Sequence, residues 1–414
     1  VMGSVREAYL AARKRKNRSK KHAEERRGEL LFTLDNTERA SYNCSHQQNT
    51  TVPNEDCANL TVPTSDSEDT AEDKIIWSSK RYIPLELFPH MLGDDPDRPP
   101  TQEEINSCDS IARGFKFFDH GKVVIHDKLD KSKIIALIEF TSFDDASSAD
   151  LKEIATVTDF LHSMKRFVNA VGSEARSWGG KMFAIGWRKA MVAFQLLGLY
   201  RNKAAITRHR EEYDQLMQRS PDTSSILGRM FRRVANVAFS DNQELMQQYS
   251  IPSLGHPDFD LPIGEDDCAP NLTFTAGGFF NPPHCDTQDL SEFAFGLFLP
   301  VNSHDWSIPT SRTHSTLSGG AFVFPDYRCG IDFSKHHGFV KLVWRAREVR
   351  HATLHSEGDS PYERLGLSLQ INKKTATTSQ DTKSGAIFER PAYKDIPKDQ
   401  LYIGNLKTYV EGTH

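Results

Sequence analysis

The feature that most constrains the fold is a series of short apolar runs in the last third of the chain. After Ser250, aromatic and β-branched residues cluster in the runs NLTFTAGGFF, EFAFGLFLPV, GGAFVFP, GFVKLVW, VRHATLH and RLGLSLQIN, which are separated by Gly, Pro, Asp and Ser. This pattern is typical of β-strands joined by turns. Six such runs in succession predict two facing antiparallel sheets, which is a jelly roll or double-stranded β-helix.

The chain before Ser250 shows a different pattern. Residues 148–172, 204–218 and 223–249 place apolar residues three to four positions apart, which predicts amphipathic helices. Thr101 followed by Glu104 predicts a capping box at the start of a further helix. The runs VVIHD and KIIALIEF predict a pair of strands. We therefore expect an α+β fold with a double-stranded β-helix (jelly-roll) core and helices packed against it.

Composition divides the chain into five parts. A basic N-terminal arm covers residues 1–34, and residues 35–74 form an acidic and polar linker that is predicted to be disordered, because it has too few apolar residues to offset the entropy of ordering. Residues 75–250 are predicted to be mainly helical and basic. The jelly-roll core is expected at 251–375 and a polar C-terminal tail at 376–414.

Several classes of protein are excluded by the composition. The six cysteines contain no CxxC pair, which excludes zinc ribbons, thioredoxin-type motifs and iron–sulfur cluster spacings. No stretch reaches the roughly 18 apolar residues that a membrane helix needs. We expect no association with a membrane, and we expect a monomer.

Charge is strongly segregated along the chain, although the net charge is only −5. Residues 1–27 contain ten Lys and Arg against three Glu, and residues 151–240 contain fifteen Lys and Arg against seven Asp and Glu. These segments indicate either surfaces that face a polyanion such as DNA or merely solvated helix faces. The arm is also typical of a nuclear-import signal, so the predicted location is the nucleus. The candidate residues for contact with the DNA backbone are Arg188, Lys189, Arg229, Arg232 and Arg233.

The β-rich part contains a candidate metal site. His284 and Asp286 lie two residues apart at the end of a predicted strand, so their side chains point to the same side. A second histidine from a distant strand can complete a facial triad that binds Fe(II) and leaves three coordination positions open. His256 and Asp258 have the same spacing, but they lie in a loop rich in Pro and Gly. Strand context therefore favours the first pair.

The distal histidine has four candidates, namely His336, His337, His351 and His355. His351 is favoured because it lies in a strand-like run and is followed by Arg364, which opens another strand. From there a guanidinium can bind the far carboxylate of 2-oxoglutarate bidentately. The alternative is that these side chains are hydrogen-bonded structural residues that bind no metal.

The segments FNPPHCDTQDLSEFAFGLFLPV, SGGAFVFPDYRCGIDF, GFVKLVWRAREVRHATLH and RLGLSLQIN resemble the core of the TET/JBP nucleic-acid-modifying dioxygenases, in particular the fungal Tet-like branch associated with transposons. The resemblance covers roughly residues 265–375. It implies His284, Asp286 and His351 as catalytic iron ligands and Arg364 as the anchor of 2-oxoglutarate. It also implies Fe(II), 2-oxoglutarate and O2 as cofactor and cosubstrates.

One position departs from the family pattern. Many relatives place a serine two residues after the anchoring arginine, where its hydroxyl shares the carboxylate of 2-oxoglutarate. That position is Gly366 in this chain, and Ser368 is the next residue on the same strand face. The second contact of 2-oxoglutarate therefore stays open at the level of the sequence.

The resemblance further implies oxidation of a methyl group on a base of double-stranded DNA, either 5-methylcytosine or N6-methyladenine. Such a base must leave the stack to reach a buried iron. Four residues are candidates for reading its edge because their oxygens can accept hydrogen bonds from an exocyclic amino group: Asp289, Asp326, Asp332 and Asn372. Each of them could instead cap a turn.

Two other functions are compatible with the sequence. A 2-oxoglutarate-dependent protein hydroxylase or histone demethylase would share the triad but bind a peptide. A non-catalytic, transposon-derived DNA-binding protein would share only the basic segments. The local excess of positive charge favours DNA over a peptide, and the presence of all four site residues favours an enzyme over a binding protein.

Overall fold

The structure, a computed structural model, describes residues 74–82, 84–89, 98–171, 179–190, 192, 194–309, 317–356 and 361–406. The chain divides into two compact units. One unit comprises residues 1–72 and 88–100, of which only 88, 89 and 98–100 are described. The other comprises residues 73–87 and 101–414 and contains all the elements named below. The predicted basic arm and all of the predicted linker except Lys74 lie outside the described residues.

The described residues form sixteen strands and seven α-helices. In chain order the strands are β1 (Lys74–Ser79), β2 (Lys116–Phe118), β3 (Lys122–Asp127), β4 (Ile134–Ser142), β5 (Ala170–Val171), β6 (Lys181–Lys189), β7 (Gln195–Leu199), β8 (Asn271–Ala276), β9 (Asn281–His284), β10 (Ala294–Asn302), β11 (Phe322–Phe324), β12 (Cys329–Ile331), β13 (Gly338–Trp344), β14 (His351–Thr353), β15 (Tyr362–Gln370) and β16 (Tyr402–Gly404). The helices are α1 (Gln102–Ala112), α2 (Ser148–Met164), α3 (Lys203–Arg208), α4 (Arg210–Met217), α5 (Ser220–Val234), α6 (Asn236–Gln248) and α7 (Lys373–Ser384). None of the described helices is both long and apolar enough to cross a membrane.

The strands form two sheets. The large sheet has eleven strands in the order β1, β3, β4, β13, β10, β15, β8, β6, β7 and β16, with β5 paired to β6. The small sheet has the order β2, β12, β11, β14 and β9. Most neighbouring strands are antiparallel, and one buried cluster contains side chains of both sheets, from β10 and β13 on one side and β11 and β12 on the other. This confirms the predicted α+β fold with a jelly-roll core.

The sequence of the central strand β10 is a nearly continuous apolar run, because both faces of the strand are covered. Phe295 and Leu297 belong to the cluster that includes the helices, whereas Ala294 and Phe298 belong to the cluster shared with the small sheet. Phe231 of α5 stacks on Phe295 with ring centroids 5.2 Å apart. A strand that is covered on both faces needs apolar residues at every position. Each such side chain contributes about 1.5–3 kcal/mol by leaving water.

The predicted capping box at α1 is confirmed. The side chain of Thr101 accepts a hydrogen bond from the backbone N–H of Glu104 at 3.3 Å, and the backbone N–H of Thr101 donates to the carboxylate of Glu104 at 2.7 Å. Two of the four N–H groups that a helix leaves without intrahelical partners are thus engaged.

Some strands within residues 75–250 were not predicted. Helices account for more residues of this segment than strands do, but it contains seven strands besides six helices. The strands KMFAIGWRK and QLLGL were missed because most of their residues are buried or half-buried, which hides the alternation that identifies an exposed strand. Helix α7, from Lys373 to Ser384, runs across the predicted boundary between the core and the polar tail. Near the end of the described chain, β16 pairs with β7 in parallel.

The segment that leads into β8 is held by one partly buried carboxylate. Asp267 accepts hydrogen bonds from the hydroxyl of Ser253, from the backbone N–H of Gly264 at 2.8 Å and from Nε2 of His256 at 2.9 Å. Burial acts to raise the pKa of Asp267, but these hydrogen bonds outweigh it and hold the pKa below its usual value. The carboxylate therefore stabilises the fold in its charged form.

Substitution of Asp267 by asparagine is expected to destabilise the protein by about 1–3 kcal/mol at pH 7. The folded-state pKa lies below the unfolded value of about 3.9, so this stabilisation is complete above about pH 5 and is lost as the pH falls through the folded-state pKa. Denaturant unfolding at pH 7 and pH 3 measures the effect. The difference between wild type and variant should shrink at pH 3, and an equal difference at both pH values would contradict this account.

Candidate active site

Two histidines lie opposite each other on neighbouring strands of the small sheet. Strands β9 and β14 are antiparallel, and their register places His351 opposite His284. The two imidazole centroids lie 4.4 Å apart. Directly opposed residues on neighbouring strands are the closest side-chain pairs in a sheet. Strand pairing thus joins two ligands that are far apart in the sequence.

Asp286 completes the group. The chain leaves β9 after His284, and the backbone N–H of Asp286 donates to the carbonyl of Ala346 at 2.9 Å, which fixes the turn. Its carboxylate oxygens lie 3.7 Å from Nε2 of His284 and 3.6 Å from Nε2 of His351. One ligand atom from each residue lies within 4.8 Å of the other two. Among the described residues, this is the one group of three or more His, Cys, Asp or Glu side chains with metal-binding geometry.

The tautomer of both histidines follows from their backbone partners. Nδ1 of His284 lies 2.8 Å from the carbonyl of Pro282, and Nδ1 of His351 lies 3.1 Å from the carbonyl of Val349. A carbonyl can only accept, so each Nδ1 carries the proton and donates it. Each Nε2 is left with a lone pair directed towards Asp286. This arrangement of a backbone-anchored imidazole is typical of metal-binding histidines.

Electrostatics in the site favour a bound cation. Burial, followed by the nearby His284, holds the pKa of His351 well below its usual value, so the imidazole is neutral at physiological pH. Burial also raises the pKa of Asp286, although His284 acts in the opposite direction. Asp286 is partly buried, and no Lys or Arg among the described residues pairs with it. A divalent cation would supply a positive charge, and two histidines with one carboxylate are the donor set of non-haem Fe(II).

Aromatic packing fixes the imidazole of His351. The ring stacks on Phe322 with centroids 5.6 Å apart and an interplanar angle of 21°, and it meets Trp344 edge-on at 5.4 Å. Both neighbours are buried. The ligand therefore has little freedom to change rotamer, which is the preorganisation that a metal site needs.

Arg364 lines one cavity together with the three candidate metal ligands. It is 6% exposed, and burial lowers its pKa to about 10. Nη2 donates to the carbonyl of Phe279 at 3.3 Å, and the guanidinium lies 5.1 Å from the ring centroid of Phe333. Within the part of the chain that the structure describes, no carboxylate forms an ion pair with it. A buried guanidinium in this state is a receptor for a ligand carboxylate.

A cavity of about 390 Å³ connects these groups. Its wall contains the three candidate metal ligands together with Arg364, and this volume is typical of a small-molecule site. The large sheet contributes Thr273 and Thr275 from β8. The metal ligands belong to the small sheet and its edge, so the cavity lies between the two sheets.

The four candidate base-reading residues have partners within the protein and do not line this cavity. Asp326 is fully buried and is ion-paired with Arg350 at 3.3 Å. Asp332 caps a short 3-10 helix by accepting from the backbone N–H of Ser334 at 3.0 Å. Asn372 caps α7 by accepting from the backbone N–H of Lys374 at 3.0 Å. For these three residues, contact with a base stays a prediction that the cavity lining does not support.

Asp289 is the most perturbed of the four. It is 3% exposed and hydrogen-bonded to Asn372, and burial together with the charge of Asp286 raises its pKa to about 8. Its Oδ2 has no hydrogen-bond partner among the described residues. At neutral pH the carboxyl group is therefore mostly protonated, and it can donate a hydrogen bond as well as accept one.

The three arginines assigned to DNA on helix α5 are ion-paired with carboxylates of the same protein. Arg229 pairs with Glu153 at 2.6 Å and with Asp266 at 3.3 Å. Arg232 pairs with Asp266 at 2.8 Å and with Glu265. Arg233 pairs with Glu153 at 3.2 Å and with Asp150 at 3.5 Å. Three guanidinium groups thus face four carboxylates, so this surface carries no local positive excess.

The remaining two candidates for DNA contact lie at the end of β6. The guanidinium of Arg188 is half-buried and lies 4.8 Å from the ring centroid of Tyr200. Burial lowers the pKa of Arg188. Lys189 is exposed. Contact of these residues with DNA stays a prediction.

Sequence reasoning missed several residues of the cavity wall. Thr273 and Thr275 alternate with Leu272 and Phe274 in the run NLTFTA, and only the two threonines line the cavity. A polar residue at every second position of an otherwise apolar strand was the available signal. Asn281 was also missed, although its amide nitrogen lies 3.2 Å from Nε2 of His284.

Residues 147–356 match a family model described as the Tet-like 2OG-Fe(II) oxygenase superfamily. The matched segment contains His284, Asp286 and His351 and ends before Arg364. A search of curated proteins finds none that matches the chain.

Proposed function

The chain belongs to the Tet-like 2OG-Fe(II) oxygenase superfamily, and from that premise we propose that it oxidises the methyl group of a methylated base in duplex DNA. Membership of the family makes it an oxygenase that uses Fe(II), 2-oxoglutarate and O2. The proposed substrates are 5-methylcytosine and N6-methyladenine. Affiliation with the fungal Tet-like branch and location in the nucleus belong to the same proposal.

Each group of the site has a distinct part in this reaction. His284, Asp286 and His351 would hold Fe(II), and Arg364 would hold the far carboxylate of 2-oxoglutarate. When bound, the iron supplies the redox chemistry that couples conversion of 2-oxoglutarate and O2 to succinate and CO2 with insertion of the second oxygen atom into a C–H bond of the methyl group. A hydroxymethyl group on cytosine C5 is stable and open to further oxidation. On the adenine amino nitrogen it is lost as formaldehyde, which leaves the unmethylated base.

The observation that carries the DNA proposal is the composition of the cavity wall beside the metal ligands. The amide side chains of Asn281 and Gln370 lie on that wall together with the aromatic rings of Phe279 and Trp344. Amides can hydrogen-bond a base edge, and aromatic rings can stack on its face. The cavity lies between two sheets, so the target base has to leave the duplex to enter it. Asp289 does not line this cavity, so its contact with a base stays a prediction, as for the other three candidates.

Mass spectrometry of nucleosides tests the proposal most directly. The protein is incubated with Fe(II), 2-oxoglutarate and duplexes that contain 5-methylcytosine, N6-methyladenine or neither. We expect 5-hydroxymethylcytosine or unmethylated adenine to form in step with succinate. Histone peptides with methylated lysines form a further arm. Oxidation of the peptides without oxidation of either duplex would overturn the DNA proposal and leave the oxygenase assignment intact.

The peptide alternative is retained because of the ion pairs on α5. The excess of positive charge within residues 151–240 favoured DNA over a peptide, but Arg229, Arg232 and Arg233 are matched by carboxylates of the protein. We therefore assign phosphate binding mainly to the basic arm, where Lys and Arg outnumber Glu by ten to three within residues 1–27, and to Lys189.

This assignment predicts a specific salt dependence. DNA binding is expected to weaken steeply with salt, by about 10³-fold between 50 and 200 mM if about six phosphates are contacted. Replacing Lys14, Arg15 and Lys16 by glutamine in the full chain should reduce the slope of log K against log salt by about 2–3. Replacing Arg232 by glutamine should leave the slope unchanged and lower stability instead. Fluorescence anisotropy with a labelled duplex measures the slope, and the opposite ranking of these two variants would refute the assignment.

A further inference from the structure

Arg364 alone does not satisfy the far carboxylate of 2-oxoglutarate. An ionised carboxylate has about four lone-pair sites, and sites that are buried without a donor are costly. One guanidinium nitrogen, Nη2, already donates to the carbonyl of Phe279 at 3.3 Å. A second donor close to Arg364 on the cavity wall is therefore required.

The hydroxyl of Thr275 is the best-placed donor. In the register of β8 and β15, Phe274 lies opposite Leu367 and Thr273 opposite Ser368, so Thr275 lies beside Gly366. Its Oγ1 accepts from the backbone N–H of Gly366 at 3.1 Å and lies 3.2 Å from the carbonyl of the same residue. Gly366 is two residues from Arg364 on the same strand face.

Other hydroxyl groups of the cavity wall are less suited. Ser368 donates its hydroxyl to Oε1 of Gln370 at 3.0 Å and lies four residues from Arg364. Thr273 lies opposite Ser368, two residue pairs farther along the sheet than Thr275. Thr353 belongs to β14 of the small sheet. Thr275 is thus the hydroxyl on the neighbouring strand that comes nearest to the position of Arg364.

Packing explains why residue 366 has no side chain of its own. A Cβ added at Gly366 would lie 3.0 Å from Cε1 of Phe298 and 3.2 Å from Oγ1 of Thr275. The space that a side chain at this position would need is therefore taken by an aromatic ring and by the threonine hydroxyl. The hydroxyl oxygen of Thr275 accepts a hydrogen bond from the backbone N–H of Gly366. The hydroxyl proton of Thr275 points to the carbonyl of Gly366 and can rotate towards a ligand instead.

We propose that Thr275 is the second anchor of the far carboxylate of 2-oxoglutarate, supplied by β8 in place of a hydroxyl on β15. Thr275 is a positioning residue for the cosubstrate, and Arg364 is its partner. The inference rests on the 2-oxoglutarate-dependent oxygenase reaction within the proposed function and is independent of the DNA substrate.

Binding of two 2-oxo acids to variants of Thr275 tests this inference. The full chain is loaded with Mn(II) under anaerobic conditions, and calorimetry measures the Kd of 2-oxoglutarate and of 2-oxobutanoate, which lacks the far carboxylate. Thr275→Val keeps the shape of the side chain and removes the hydroxyl, and it is expected to raise the Kd of 2-oxoglutarate about 10- to 100-fold. The Kd of 2-oxobutanoate should stay within about threefold. Thr275→Ser, which keeps the hydroxyl, should bind 2-oxoglutarate within about threefold of wild type.

Thr207→Val is the control, because it makes the same chemical change at an exposed residue of α3 outside the cavity lining, and it should leave both Kd values unchanged. Thr275→Ala is a second variant without the hydroxyl, should the valine variant not fold. Equal weakening of both ligands by Thr275→Val, or no weakening of either, would overturn the proposal. No DNA is present in this experiment, so its failure is distinguishable from failure of the DNA proposal.

Discussion

Replacement of Asp286 by alanine is expected to abolish iron binding and to lower succinate formation at least about 10³-fold. The carboxylate is the one negative charge among the three ligand groups, and its oxygens lie within 3.7 Å of Nε2 of both His284 and His351. Without it, two imidazoles remain, which bind a divalent cation far more weakly. Metal content by mass spectrometry and succinate formation measure the two effects independently.

Asp241→Ala is the control for this variant. Asp241 is exposed on α6 and does not belong to the metal-ligand group, so its removal should change neither metal content nor turnover. If Asp286→Ala retained full metal content together with normal turnover, the triad would not be the iron site. The same result would leave the jelly-roll fold intact but remove the basis for placing the reaction in this cavity.

Gly320→Ala is expected to weaken binding of 2-oxoglutarate at least about tenfold while the protein stays folded. Gly320 packs directly against the anchoring side chain, and a Cβ at this position would overlap Nη1 of Arg364. The guanidinium is the far end of a flexible side chain, so it moves aside rather than the backbone. Displacement of the anchor removes a charge-assisted, bidentate contact with the ligand. Calorimetric titration with 2-oxoglutarate measures the loss.

Backbone strain has to be separated from this steric effect. Gly320 has φ +65°, a left-handed conformation that costs an alanine about 1 kcal/mol or more. Gly385 has φ +80°, but a Cβ there would meet no atom within 4 Å. Gly385→Ala should therefore show the strain alone, as a small loss of thermal stability with unchanged affinity for 2-oxoglutarate. Equal affinities in the two alanine variants would show that contact with Arg364 is not the cause.

The grouping of the three candidate metal ligands was predictable because it depends on strand pairing and alternation. His284 and Asp286 were selected by the two-residue spacing at a strand end, and His351 by its position in a strand-like run. Both arguments concern local structure, and the antiparallel pairing of β9 with β14 brings the local segments together. The alternation of side chains along one strand is visible in the sequence, so this part of the prediction agreed with the structure.

The electrostatics of the helices were not predictable in the same way. Counting charges over residues 151–240 gave a positive excess, but Asp150, Glu265 and Asp266 lie outside that window and neutralise Arg229, Arg232 and Arg233. Helix α2 and the segment before β8 meet α5 only through the tertiary fold. A linear count therefore describes composition and not the charge of a surface.

The environment of individual polar residues could not be predicted from the sequence either. Asp326 and Asp289 occur in turn-like stretches of similar character, yet one is ion-paired with Arg350 and the other is a carboxyl group with a raised pKa. Burial and the identity of the partner decide between these outcomes, and both arise from distant segments. Thr275 was overlooked for a related reason, since its hydroxyl gains meaning only beside Gly366 of the neighbouring strand.

The division of the site between two sheets makes cosubstrate affinity part of the folding equilibrium. His284 and His351 belong to the small sheet and Arg364 to the large one, so a molecule whose sheets have separated has no complete receptor for the dicarboxylate. A ligand that binds only the assembled form stabilises it by about 2.7 kcal/mol at a concentration one hundred times its Kd. The metabolic supply of 2-oxoglutarate would then affect the stability of the folded enzyme as well as its rate of turnover.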